Sequence, residues 1–255
     1  MDGEGVRTNT KFGIGNVLVT GFRIWAKNVI PFLFLTALIY APVLLWNLGL
    51  LQGEMTDARI GALIQALEYS SRLMIVLNIV VSAALTYGVV MDLRGQRVSI
   101  GACIVAGLAR FFPVIGVCFL SAVCVIAGTI VLLIPGLIVF CMLYVSSQVA
   151  VFERPGVIGA LKRSRDLTDG HKLEILGLLV LLGLVSWGLQ WLIDSVMFSS
   201  FEAADRIHIA RYVYVLLTEE VILGSIASVM PGVAYYFLRI EKEGVTAAQL
   251  AAALD

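Results

Sequence analysis

Residues 111–152 read FFPVIGVCFLSAVCVIAGTIVLLIPGLIVFCMLYVSSQVAVF, 42 residues without a single Lys, Arg, Asp or Glu. One continuous α-helix of that length would measure about 60 Å at 1.5 Å per residue, twice the ~30 Å thickness of a bilayer's hydrocarbon core. The run has to turn back on itself. Its middle offers the means at Leu133-Ile134-Pro135-Gly136, because Pro135 lacks an N–H and crowds the preceding turn while Gly136 permits the angles of a reversal. A tight helical hairpin at Pro135 and Gly136 is expected, dividing the run into spans at about 111–134 and 135–152.

Other charge-free runs lie on either side, at 29–51, 73–91, 175–193 and 221–238. Each approaches or exceeds the ~20 residues that a membrane helix needs. With their flanks they predict spans at about 29–51, 73–91, 173–197 and 213–238, six in all with the hairpin. The composition agrees: 60% of the side chains are hydrophobic and 14% charged, where soluble domains carry about a quarter charged. The expected fold class is therefore all-α, an integral membrane bundle of six transmembrane helices forming one domain over 1–255. No short apolar segment with a small-residue cleavage pattern precedes the first span, so that span is expected to stay.

Net charge is zero, yet the charge is strongly polarised along the chain. If the N-terminus, 92–110, 153–172 and the C-terminus share one side, only Arg59, Arg72, Arg206 and Arg211 of the 18 Lys and Arg residues fall opposite. The positive-inside rule then places both termini in the cytoplasm.

Three segments begin alike: Ile14-Gly15-Asn16-Val17, Ile100-Gly101-Ala102-Cys103 and Ile158-Gly159-Ala160-Leu161. Each lies on the side assigned to the cytoplasm, and an acid, a base and a glycine close every even span: Asp92-Leu93-Arg94-Gly95, Glu153-Arg154-Pro155-Gly156 and Glu241-Lys242-Glu243-Gly244. The chain reads as three repeats of a short amphipathic helix plus two spans, with a residual fourth helix from Val245 to Ala248. Chance matches at charge- and glycine-rich boundaries are the competing explanation. The short helices are expected at about 12–27, 99–110 and 155–169, the second capped by Ser99 and the third started by Pro155 and stopped by Gly170. Such helices normally lie in the interface with their apolar faces in the acyl boundary. On the third, Lys162, Arg163 and Arg165 face away from the apolar side, which makes them candidate contacts for anionic lipid head groups. The same three charges also satisfy the positive-inside rule with no site at all.

Catalytic signatures are missing. Gly13-Ile14-Gly15 lacks the third glycine and the later acid of a dinucleotide site, and no Walker, zinc-protease or nucleophile-elbow pattern occurs. Cys103, Cys118, Cys124 and Cys141 lack metal-ligand spacing, and His171 and His208 are far apart, so neither a metal site nor a cofactor is expected. No acid or base falls at mid-membrane, which argues against a proton-driven pump. Asp194, Glu219 and Glu220 read as boundary charges at the outer span ends. Trp25, Trp46, Trp187, Trp191, Tyr212 and Tyr214 read as an interfacial aromatic belt. Pro231 and Gly232 form a second Pro-Gly pair, read as a kink inside the sixth span.

The stretch Leu132-Leu133-Ile134-Pro135-Gly136-Leu137-Ile138, then Val151-Phe152-Glu153-Arg154-Pro155-Gly156, then Ala160-Leu161-Lys162-Arg163-Ser164 through Gly170, resembles a group of uncharacterised bacterial inner-membrane proteins. That group is related to the membrane domain attached to some glycerophosphoryl diester phosphodiesterases. The likeness runs from Phe12 to about Trp191. It implies a six-helix bacterial inner-membrane protein; the phosphodiesterase chemistry belongs to a separate soluble barrel, so no catalytic residue carries over.

The sequence thus points to a non-catalytic membrane protein that binds or organises phospholipid, with lipid or amphiphile transport as an extension. The alternatives are a structural or assembly subunit docking a membrane-protein partner or a second copy, and a small-solute transporter. The transporter reading requires a water-filled cavity among Asn78, Gln148 and Gln190. Nucleic acid is not an expected partner.

Overall fold

The computed structural model describes residues 11–52, 57–93, 100–198 and 206–244. Among them the chain is all α, running α1 (Ile14–Lys27), α2 (Val29–Leu50), α3 (Asp57–Leu93), α4 (Ile100–Ala109), α5 (Phe111–Val131), α6 (Leu133–Met142), α7 (Ser146–Phe152), α8 (Gly156–Thr168), α9 (Lys172–Phe198) and α10 (Arg206–Glu243). Six units are long and apolar enough to cross a bilayer: α2, α3, α5, α6 with α7, α9 and α10. The chain is a multi-pass membrane protein of the expected class. The order of one short helix and two spans recurs three times, led by α1, α4 and α8. The proposed Ser99 cap and the fourth helix from Val245 to Ala248 lie outside the described residues.

Two spans are much longer than the charge-free runs suggested. In place of 73–91 and 213–238, α3 has 37 residues and α10 has 38, or about 56 and 57 Å at 1.5 Å per residue. Charges end a hydrophobic run without ending a helix: Glu68 and Arg72 sit one turn apart in α3 and pair at 4.0 Å. These two helices form the centre of the molecule. Their apolar windows are 59% and 61% buried, whereas those of α5 and α9 are 11% buried and face outward. Helices α3 and α10 run parallel, with Ser228 on Asn78 and Gly232 against Thr86. The end carrying the C-termini of α3, α7 and α10 is called basal below, and the other distal.

The reversal in the 42-residue run falls at Leu132, not at the Pro-Gly pair. Leu132 is extended (φ −163°, ψ 148°), and Pro135 sits in the first turn of α6, where its missing N–H has no intrahelical partner to lose. Gly136 serves close packing instead: a Cβ there would lie 2.7 Å from the Thr129 backbone nitrogen and would also strike the Thr129 hydroxyl, so α5 and α6 touch backbone to backbone. The expected continuous span at 135–152 is also broken, by a turn at 143–145. This turn frees the Met142 carbonyl, which accepts a hydrogen bond from Ser164 Oγ at 2.8 Å and lies 3.2 Å from Thr168 Oγ1.

Those contacts correct the picture of α8 as a helix resting its apolar face in lipid. Ala160, Ser164, Leu167 and Thr168 are fully buried against the bundle. Gly156 and Gly170 both have positive φ (76° and 88°), and Gly170 stops α8 as the sequence suggested. Helix α1 likewise packs on protein. Its contacts on α10 retreat from Glu241 (Phe12 amide, 2.6 Å) through Met230 (against Gly21) to Ser225 (Trp25 Nε1, 2.8 Å), so it runs antiparallel along α10 and buries Val17, Gly21 and Ile24.

Candidate functional site

At the distal end of α10 two acids follow one another. Adjacent helical residues point about 100° apart, so Glu219 and Glu220 serve different surroundings. Glu220 lines two neighbouring cavities, both between α10, α2 and α3, with α9 closing one of them. One, of ≈ 220 Å³, is bordered by Asn47, Ser70, Gln190 and Tyr212; the other, of ≈ 370 Å³, by Tyr40, Ser71, Met74 and Asn78. Apolar side chains such as Leu67, Met74, Leu216 and Leu217 make up much of their walls, and several of the polar groups set among them are bonded to protein partners. Ser70 Oγ donates to Asn47 Oδ1 at 3.0 Å, Asn47 Nδ2 to the Val43 carbonyl at 3.1 Å, and Asn78 Nδ2 to the Tyr40 hydroxyl at 2.9 Å. Asp194 accepts from Gln190 Nε2 at 3.2 Å and from the Tyr212 hydroxyl at 3.1 Å.

Glu219 instead lines an open groove of ≈ 700 Å³ between α9 and α10. Leu189 and Ile193 of α9, with Val215, Ile222 and Leu223 of α10, give it an apolar floor; Arg211, Tyr214 and Thr218 join Glu219 in supplying polar groups. Glu219 is 7% exposed, and its Oε2 is the one fully buried side-chain oxygen or nitrogen among the described residues with no hydrogen-bond partner. Buried polar groups are ordinarily satisfied, so such an atom calls for an explanation.

The charge arrangement differs sharply between the two ends. At the basal end the acids are paired: Asp92 with Lys27 at 2.7 Å, Glu153 with Arg163 at 2.8 Å, Glu243 with Arg239 at 2.8 Å and with Arg163, and Glu241 with His171 at 3.5 Å. Asp169 is held below the usual carboxylate range by the hydrogen bond and charge of Lys172. At the distal end Asp194, Glu219 and Glu220 form no ion pair among the described residues, although Asp194 accepts hydrogen bonds from Gln190 and Tyr212.

Of the three candidate lipid contacts on α8, the structure leaves two free. Lys162 and Arg165 are exposed one turn apart, while Arg163 turns inward to bridge Glu153 and Glu243 and is a structural cation. Pro135 and Gly136 belong to the α5–α6 contact described above. Pro231 sits inside α10, and a Cβ on Gly232 would lie 3.4 Å from Thr86. The cavity expected among Asn78, Gln148 and Gln190 is only partly assembled. Asn78 and Gln190 border the two spaces that share Glu220, but Gln148 is buried elsewhere, donating to Ser82 Oγ at 3.2 Å.

The sequence reading missed the basal hub. Glu153 accepts from Arg163 and, at 2.9 Å, from the Tyr235 hydroxyl, which also accepts from Arg239 at 3.0 Å. The signal was the acid-and-glycine close of each even span, because Glu153 and Glu243 occupy those positions. All four cysteines are free thiols, and no cluster of metal-ligating side chains occurs among the described residues.

Comparison of the chain with protein-family models, with curated proteins and with solved structures finds no match.

Proposed function

We propose that this protein is a non-catalytic, multi-pass component of a bacterial inner membrane that binds or organises phospholipid, with both termini cytoplasmic. The observation that carries the reading is the α9–α10 groove. It opens between two spans, one of them outward-facing, is apolar along one stretch and holds Arg211, Thr218 and Glu219 along another, which is the lining an amphiphile requires. The exposed pair Lys162 and Arg165 provides a second, electrostatic contact with anionic lipid at the basal surface, worth roughly 1 kcal/mol per cation. Kinship with the membrane domain of glycerophosphoryl diester phosphodiesterases is compatible with this reading and rests on the 132–172 segment.

The test is purification of the intact chain in mild detergent followed by native mass spectrometry of whatever stays bound. Phospholipid adducts are expected, and Lys162→Gln with Arg165→Gln should reduce the anionic ones. A lipid-free chain bound stoichiometrically to another protein or to a second copy would favour the assembly-subunit alternative.

A second reading, passage of a small solute, is favoured by the two cavities that share Glu220. It predicts that a cysteine introduced at Ser70, buried on the wall of the smaller cavity, reacts with a membrane-impermeant maleimide; complete protection would count against it.

A further inference from the structure

The α9–α10 groove has a definite polarity. Arg211 stands nearest the distal end of α10, Thr218 and Glu219 lie about two turns further in, and Ile222 with Leu189 and Ile193 lies on the apolar stretch. A lipid in this groove would therefore set its head group distally and its chains toward mid-membrane, in the leaflet opposite α8. Arg211 is exposed and makes no ion pair among the described residues, so its guanidinium is available for a phosphate. Glu219 offers a buried carboxylate oxygen lacking any donor. An anionic head group without a donor would leave that oxygen unsatisfied and add repulsion. A quaternary ammonium would bring charge but no N–H, whereas a primary ammonium brings three donors.

We propose that the groove selects an aminophospholipid, its phosphate on Arg211 and its primary ammonium on Glu219 Oε2. Eight residues separate the two side chains, about 12 Å along the helix axis, which an arginine arm, a phosphate and a two-carbon amine link can fill. This deepens the phospholipid-binding reading and rests on it.

The experiment exchanges the purified full-length chain into micelles doped equally with dioleoyl phosphatidylethanolamine, phosphatidylcholine and phosphatidylglycerol, and reads bound lipid by native mass spectrometry. Phosphatidylethanolamine is expected about tenfold over phosphatidylcholine, as one charge-assisted hydrogen bond allows. Glu219→Gln should bring that ratio near one while total lipid stays constant; Arg211→Gln should lower all three. Equal retention of phosphatidylethanolamine and phosphatidylcholine by the parent chain would overturn the head-group assignment and leave lipid binding standing. So would a preference that Glu219→Gln does not change. No retained phospholipid at all would overturn both. The N-methyl and N,N-dimethyl ethanolamine lipids give a gradient on the parent chain alone, so the proposal stays testable if Glu219→Gln fails to fold.

Discussion

Replacing Glu153 by alanine should loosen the basal end measurably. The change deletes the acceptor of the Arg163 Nε hydrogen bond at 2.8 Å and of the Tyr235 hydroxyl at 2.9 Å, and leaves Arg163 and Arg239 sharing Glu243. A fully exposed ion pair contributes about 0–1 kcal/mol, and breaking a fully buried one costs about 3–5. Side-chain exposures of 17% for Glu153, 31% for Arg163 and 15% for Arg239 lie between these limits, so a loss of about 2–3 kcal/mol is expected. For a chain of this size that corresponds to a fall of about 5–10 °C in apparent Tm, read by fluorescence-detected thermal unfolding in detergent. Arg163→Met, which keeps the aliphatic bulk, should cost less alone. The double variant should be more stable than the sum of the singles implies by about 1 kcal/mol, because the second change removes an already orphaned partner. Strict additivity, or a Glu153→Ala protein melting within about 1 °C of the parent, would refute the hub.

Gly136→Ala should destabilise the α5–α6 hairpin by about 1–3 kcal/mol, since its Cβ meets the Thr129 backbone, while Gly183→Ala on the open face of α9, with nothing within 4 Å, should be silent; melting curves of the two variants check this. Burial pushes the Cys103 thiol up to about 11. Mass spectrometry should therefore find Cys103 unlabelled by maleimide at pH 8 in the folded protein and labelled after denaturation. Because its folded-state value is raised, its stabilising contribution is complete below the ordinary thiol value of 9.0 and is lost as pH rises toward 11, so apparent Tm should fall over that window, and Cys103→Ala should flatten the fall. A reporter fused after Asp255 should read cytoplasmic, and a periplasmic signal would reverse the assigned topology.

The number and approximate place of the spans were legible in the sequence because apolar length is a local property. What escaped it depends on distant residues. The turn at 143–145 contains neither Pro nor Gly, and its freed carbonyl is satisfied by Ser164 and Thr168 two helices later. In sequence Arg163 resembles its neighbours Lys162 and Arg165, and the inward pairing with Glu153 and with Glu243 at the end of α10 sets it apart. The lengths of α3 and α10 were underestimated because absence of charge measures contact with lipid and says nothing of helical continuity. Pro135 was given the reversal that belongs to Leu132, since a proline marks a helix start as readily as a stop. At the distal site Glu219 and Glu220 read in sequence as boundary charges; that they serve different spaces follows from helix geometry, but that one of them lacks a partner does not.

The bond between α8 and the Met142 carbonyl also bears on how the protein is made. The α5–α6 hairpin is complete once Met142 has left the ribosome, but the donors that close its open carbonyl lie 22 and 26 residues further along. At about 5–20 residues per second, translation delivers them roughly 1–5 s later. Until then the Met142 carbonyl lacks the two hydroxyl donors that hold it in the finished fold, so the turn at 143–145 can take its final form only after α8 has been made.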